Sequence, residues 1–189
     1  MASATQILRD EHETILEMIA SLEAVVRRIE AGASVEAETL GGFAKFFVLY
    51  ADRSHHGKEE DLLFPLMERK GVPRHGGPLG CMLNEHDEGR AFIQAMKQNA
   101  PGCANGDTAG RRAWVAAARG YAHLLRNHIW KENEILFQIA ERLLTEAEQA
   151  ELAKEFDKVQ CEKLDGETQS KLRQFKLKME KEYAAAAPR

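Results

Sequence analysis

The sequence predicts an all-α protein: an antiparallel up-down four-helix bundle over residues 1–144, with a C-terminal helical hairpin over 145–189 packed on or beside it. Three observations point there. Apolar residues recur at alternating intervals of three and four along nearly the whole chain, as one face of a helix demands. Segments rich in Gly and Pro interrupt that rhythm at a few places, leaving long helices with short connections. No Val/Ile-rich alternating stretch would serve as a strand.

The elements follow in order. Leu8, His12, Ile15, Ile19, Leu22, Val26 and Ile29 form one stripe, which sets a first helix from about Thr5 to Glu30. After Gly32 and a candidate cap at Ser34, Leu40, Ala44, Val48, Ala51, His55, Glu59, Leu62 and Leu66 define a long second helix at about 35–70, stopped by Gly71 and Pro73. The segment 71–80 reads as a loop before a third stripe of Leu79, Met82, His86, Gly89, Ile93 and Met96, whose helix ends near Asn99. A second loop, 101–106, leads through Asp107 or Thr108 as cap into Trp114, Ala117, Tyr121, Leu124, His128, Glu132, Ile135 and Ile139. Thr145 with Glu148 spells a capping box that opens a fifth helix. Asp165-Gly166 separates it from a sixth, highly charged helix ending in an alanine run.

Composition narrows the function. With 26 Lys+Arg against 30 Asp+Glu, the net charge of -4 and the lack of a basic, aromatic-interleaved patch disfavour nucleic acid and anionic membrane as partners. No apolar stretch approaches the roughly 20 residues needed to span a bilayer, and the N-terminus has no targeting character. Three cysteines, Cys81, Cys103 and Cys161, lack metal-knuckle spacing and suit reduced thiols, so a cytoplasmic location is expected. Dinucleotide, P-loop and nucleophile-elbow motifs are absent.

The chemistry lies in an internal repeat. His55-His56-Gly57-Lys58-Glu59-Glu60-Asp61-Leu62-Leu63-Phe64 matches His128-Ile129-Trp130-Lys131-Glu132-Asn133-Glu134-Ile135-Leu136-Phe137 at His, Lys, Glu, Leu and Phe. Glu11-His12-Glu13 likewise matches Glu85-His86-Asp87. The chain therefore reads as a duplicated two-helix unit. Four histidines and two glutamates of this repeat fall on core-facing stripes, where unpaired polar groups are costly.

Residues equally far from a turn lie at equal height in an antiparallel hairpin. The midpoint of His12 and His55 falls in the first predicted turn, and that of His86 and His55 at Gly71. The midpoint of His86 and His128 is Asp107, at the far edge of the predicted loop. His and Glu four apart stand about 6 Å along the helix and about 40° around it, so both aim inward. One level of the bundle thus collects His12, His55, Glu59, His86, His128 and Glu132 as metal ligands. Imidazole suits iron, zinc, copper or nickel, and carboxylates bridge two ions, so this set fits a dinuclear centre with open positions, read here as two irons. Spacing alone also admits zinc or manganese.

These motifs resemble the hemerythrin-like, HHE cation-binding family. His12, His55-x3-Glu59 followed by Leu63-Phe64-Pro65, Glu85-His86, and His128-x3-Glu132 followed by Leu136-Phe137 stand where that family's ligands stand, across about residues 5–143. The resemblance implies a four-helix bundle and a non-haem di-iron centre bridged by the two glutamates and an oxo or hydroxo group. Oxygen-carrying hemerythrins have a second third-helix histidine where this chain has Arg90, and a final aspartate where it has Asn133. The four-His, two-Glu pattern looks more like the di-iron domain of repair-of-iron-centres proteins, which respond to nitric oxide and oxidative damage. Those usually carry a short cysteine-containing domain in front, for which this chain has no room.

Neighbouring residues carry plainer expectations. His56-x3-Glu60 has the ligand spacing too, but only His55 shares a register with His128, so His56 and Glu60 are read as a solvated face or as supports for the ligands. Glu11 and Glu85 either relay protons or are solvated, with solvation favoured for Glu11. His75 reads as a loop residue and Tyr121 as core. The expected function is a cytoplasmic di-iron protein that binds or reduces a small oxidant (oxygen, peroxide or nitric oxide) in stress response or iron handling. The alternative is an oxygen, redox or iron sensor, or an iron store, acting on a protein partner. The C-terminal helices would then serve as docking surface or homodimer contact.

Overall fold

The computed structural model describes residues 2–183 and is helical throughout, with no strand among them. The alanine run at 184–187 lies outside the described residues. Six helices follow one another: α1 (Ala4–Glu30), α2 (37–69), α3 (Gly77–Ala104), α4 (108–143), α5 (Glu146–Lys163) and α6 (Gly166–Tyr183). Ser3 caps α1 by accepting from the Gln6 amide, and Asp107 caps α4 by accepting from the amides of Ala109 and Gly110. Thr145 and Glu148 close the capping box of α5. Ion pairs Glu30–Arg119, Glu23–Arg126 and Arg9–Glu141 show α1 and α4 running in opposite directions.

Two boundaries differ from the sequence reading. The third helix does not end near Asn99 but continues through Pro101 to Ala104. Proline's fixed φ is already helical, and at an exposed position in the last turn its missing N–H removes a single bond near a fraying end. The helix stops instead at Gly106, whose φ of +81° lies in the left-handed region that favours glycine. The turn to α4 is therefore only 105–107, and the His86–His128 midpoint falls inside it. At its start α3 takes in Gly77 and Pro78, which the sequence places in the loop.

The long helices are not uniform. Phe47–His56 and Glu59–Leu63 in α2, and Glu132–Leu136 in α4, are π-helical turns. The second and third start at equivalent positions of the two repeats. Wide turns of this kind concentrate at functional sites, because an extra residue per turn re-aims side chains that a regular helix would send elsewhere.

Apolar packing forms two clusters. One contains Leu8, Leu63, Phe64, Met82, Leu136, Phe137 and, from α5, Leu152 and Phe156. The other contains Ile15, Phe43, Ala51, Ile93, Trp114, Leu125 and, from α6, Leu172 and Met179. On each long helix the predicted polar residues lie between these two sets: His12, His55, Glu59, His86, His128 and Glu132, with His56 and Lys58 buried in the same stretch of α2. A polar layer is thus closed above and below by dry core. No helix among the described residues is long and apolar enough to cross a membrane.

Candidate metal centre

All six predicted donors are buried, with exposures of 0–1%. His12 comes from α1, His55 and Glu59 from α2, His86 from α3, and His128 and Glu132 from α4. The His12 and His55 Nε2 atoms lie 2.9 Å apart, and those of His86 and His128 lie 3.2 Å apart. Both carboxylates face both histidine pairs. Glu59 is 3.8 Å from His55 Nε2 through Oε1 and 3.6 Å from His86 Nε2 through Oε2. Glu132 Oε2 stands 3.1 Å from His12 Nε2 and 3.3 Å from His128 Nε2.

The tautomers follow from outer partners. His55 Nδ1–H donates to Glu11 Oε2 at 2.9 Å and His128 Nδ1–H to Glu85 Oε2 at 3.0 Å. His12 Nδ1–H donates to Asn133 Oδ1 at 2.9 Å and His86 Nδ1–H to Glu60 Oε1 at 2.6 Å. With each proton held on Nδ1, all four Nε2 atoms present bare lone pairs inward. Lone pairs in mutual contact, beside four carboxylate oxygens of Glu59 and Glu132 that have no hydrogen-bond partner, are costly unless protons or cations stand between them.

Electrostatics agree. Burial first, then the neighbouring imidazoles, push His55 well below its ordinary value and His86 down to about 3, so these rings stay neutral and able to ligate. Burial and the adjacent Glu132 carboxylate drive Glu59 well above the usual carboxylate range. A metal-free site therefore carries less negative charge than its donors can supply, and cations would complete it.

Two groups of four donors emerge, each with all ligand atoms within 4.8 Å of one another: His12, His55, Glu59, Glu132, and His56, Glu59, His86, His128. Glu59 belongs to both. The residues fit the expected cofactor, two iron ions.

Three surroundings correct the sequence reading. Glu11 and Glu85 are not solvated: each bridges a histidine of the next helix and a lysine, Lys58 and Lys131 respectively. His56 is no solvated face either, being only 4% exposed. Glu60 does hold a predicted ligand, His86, and is itself held by Arg90 at 2.7 Å. Lys58, 0% exposed, was missed by periodicity, although its recurrence as Lys131 in the second repeat was the available signal. Tyr121 is core, packed on Phe47, and His75 lies in the 70–76 connection.

The family model described as the Hemerythrin HHE cation binding domain matches residues 3–140. Among curated proteins, the chain is similar to proteins named iron-sulfur cluster repair protein YtfE. That of Enterobacter sp. (strain 638) is 27% identical over 67% of this chain and 59% of its own length. That of Cronobacter sakazakii is 30% identical over 69% and 61%, and that of Escherichia coli O157:H7 32% over 51% and 46%. The chain thus spans about half to three-fifths of the relatives it matches. By the extent of the family match and the donors it encloses, the chain belongs to the hemerythrin HHE cation-binding family.

Proposed function

We propose that His12, His55, Glu59, His86, His128 and Glu132 ligate two irons within an antiparallel up-down bundle at 1–144, and that this centre binds or reduces a small oxidant in the service of iron-centre repair and stress response. The observation that carries the reading is the buried donor layer, in which each carboxylate faces both histidine pairs. Two bound irons would supply electron exchange with oxygen, peroxide or nitric oxide. The chain's own groups do the rest. Glu11, Glu85, Glu60 and Asn133 fix the Nδ1 protons, and complete burial of Glu59 and Glu132 excludes any reactant larger than a few atoms. The relatives' names carry the assignment to iron-sulfur cluster repair.

Replacing both His55 and His128 by Ala should abolish tight iron binding, whereas a double variant that retained two irons per chain would refute the ligand assignment. Mixing the protein with excess peroxide and an external electron donor should give repeated turnover, each peroxide consuming two electrons from that donor. A second reading, a sensor or store working through a partner, is favoured by one contact: Gln160 of α5 accepts from Lys58 at 3.1 Å, and Lys58 is tied through Glu11 to His55. A single stoichiometric spectral change, without turnover, would support that reading. The tail at 145–189 would then be the unit that reports the state of the centre.

A further inference from the structure

His56 is the buried histidine that a six-donor centre leaves over. Its ring lies face to face with that of His86, centroids 3.7 Å apart and planes within 10°, and 5.7 Å from the His128 centroid. A ligand-capable nitrogen of His56 stands within 4.8 Å of donor atoms from Glu59, His86 and His128. The other four histidines each spend Nδ1 on an outer oxygen, but His56 Nδ1 is buried without a hydrogen-bond partner. The nearest carboxylate, Asp52, is 3.7 Å away and is engaged by Arg90 Nε at 2.7 Å. A buried imidazole whose Nδ1 has no partner, standing beside three donors, is a costly arrangement unless a cation meets the ring.

The backbone explains how two consecutive histidines reach one layer. Both lie in the π-helical turn Phe47–His56, where each residue advances fewer degrees than in an α-helix, so His55 and His56 diverge less. The repeat sharpens the point. The residue equivalent to His56 in the second unit is Ile129, buried and unable to ligate.

We propose that His56 is a fifth imidazole of the centre, joining His86 and His128 on one ion and leaving the other with His12 and His55 alone. The inference rests on the two-iron reading above. It makes the centre asymmetric, three imidazoles against two, and assigns the exchangeable positions mainly to the His12/His55 half.

Stacking on His86 alone would need a ring but no nitrogen, so the decisive variant is His56→Phe. The full chain, loaded with iron-57, is compared with wild type by Mössbauer spectroscopy and by the rate at which a strong chelator extracts the metal. Wild type should give two distinct iron signals of equal area. His56→Phe should shift one and spare the other, with one iron leaving on the order of tenfold faster or more. Spectra and extraction rates matching wild type would overturn the proposal, as would a single signal from equivalent irons in wild type. Should the Phe variant fail to fold, His56→Gln is read by the same criteria. A wild-type protein that held no iron pair would refute the two-iron reading itself, a result distinct from either of these.

Discussion

The two outer glutamates, Glu11 and Glu85, make matching bonds to the proposed ligands His55 and His128 but differ in what lies behind them, and replacing each by Ala should separate metal affinity from stability. Glu11 holds His55 Nδ1 at 2.9 Å and Glu85 holds His128 Nδ1 at 3.0 Å, so either loss frees one ligand's tautomer. Such partners are worth about 10–100-fold in metal affinity, and both variants should lose that much. Stability should divide them. Glu11→Ala strands Lys58, 0% exposed, with only Gln160 Oε1 at 3.1 Å to accept from it, and an uncompensated buried charge costs about 3–5 kcal/mol. Glu85→Ala leaves Lys131, 29% exposed, in reach of water, a loss of about 0–1 kcal/mol. At about 2–4 °C per kcal/mol for a chain of this size, the metal-free Glu11→Ala protein should melt about 6–20 °C below wild type and Glu85→Ala no more than about 4 °C below it. Circular dichroism melts in the presence of chelator measure this. Adding Lys58→Met to Glu11→Ala should recover much of the loss. Equal falls for the two single variants, or no rescue by methionine, would refute the buried-lysine argument.

Other outcomes follow from the same coordinates. A Cβ at Gly110 would stand 2.8 Å from the Gly102 carbonyl carbon and 2.9 Å from the Cys103 amide nitrogen, so Gly110→Ala must part α3 from α4 and should cost about 1–3 kcal/mol in a urea titration. Thr145→Ala removes one half of the α5 capping box and should cost about 1 kcal/mol by the same assay, with iron content unchanged. For pH, the metal-free fold holds His55 well below 6.5 and His56 and His86 at about 3, chiefly through burial, so below pH 6.5 the unfolded chain binds more protons than the folded one. Stability should therefore fall as pH drops from 6.5 toward about 3, each histidine contributing up to about 1.4 kcal/mol per pH unit. The raised Glu59 and Glu11 carboxyls act in the opposite sense above 4.5, two groups against three. Unfolding free energies of the metal-free protein at pH 7 and pH 5 check the sign, and equal values would contradict it.

That the six side chains share one buried layer is legible because the repeat copies His-x3-Glu and because equal distance from a turn converts sequence position into height. The His86–His128 midpoint sits at the edge of the predicted loop only if Pro101 ends the helix; with α3 running to Ala104 the midpoint at Asp107 falls in the turn. The outer partners were hidden for a different reason. Glu11 and Glu85 sit one residue before a ligand, about 100° around their own helix, which periodicity assigns to solvent. They are half-buried because each reaches across to a histidine of the following helix, a relation between helices that the pattern of a single helix does not encode. Asn133 is explained in the same way: it stands where Glu60 stands in the first repeat, and both accept from a ligand's Nδ1. His56 was obscured by the π-helical turn, since an ideal 3.6-residue period carries it off the ligand face.

The most direct test is anomalous diffraction at the iron edge from crystals of the iron-loaded protein. The account predicts two peaks in the polar layer, one beside His12 and His55 and one beside His86 and His128, with Glu59 and Glu132 reaching both. A single peak, or iron found only at the surface with the histidine Nε2 atoms still facing one another, would contradict it.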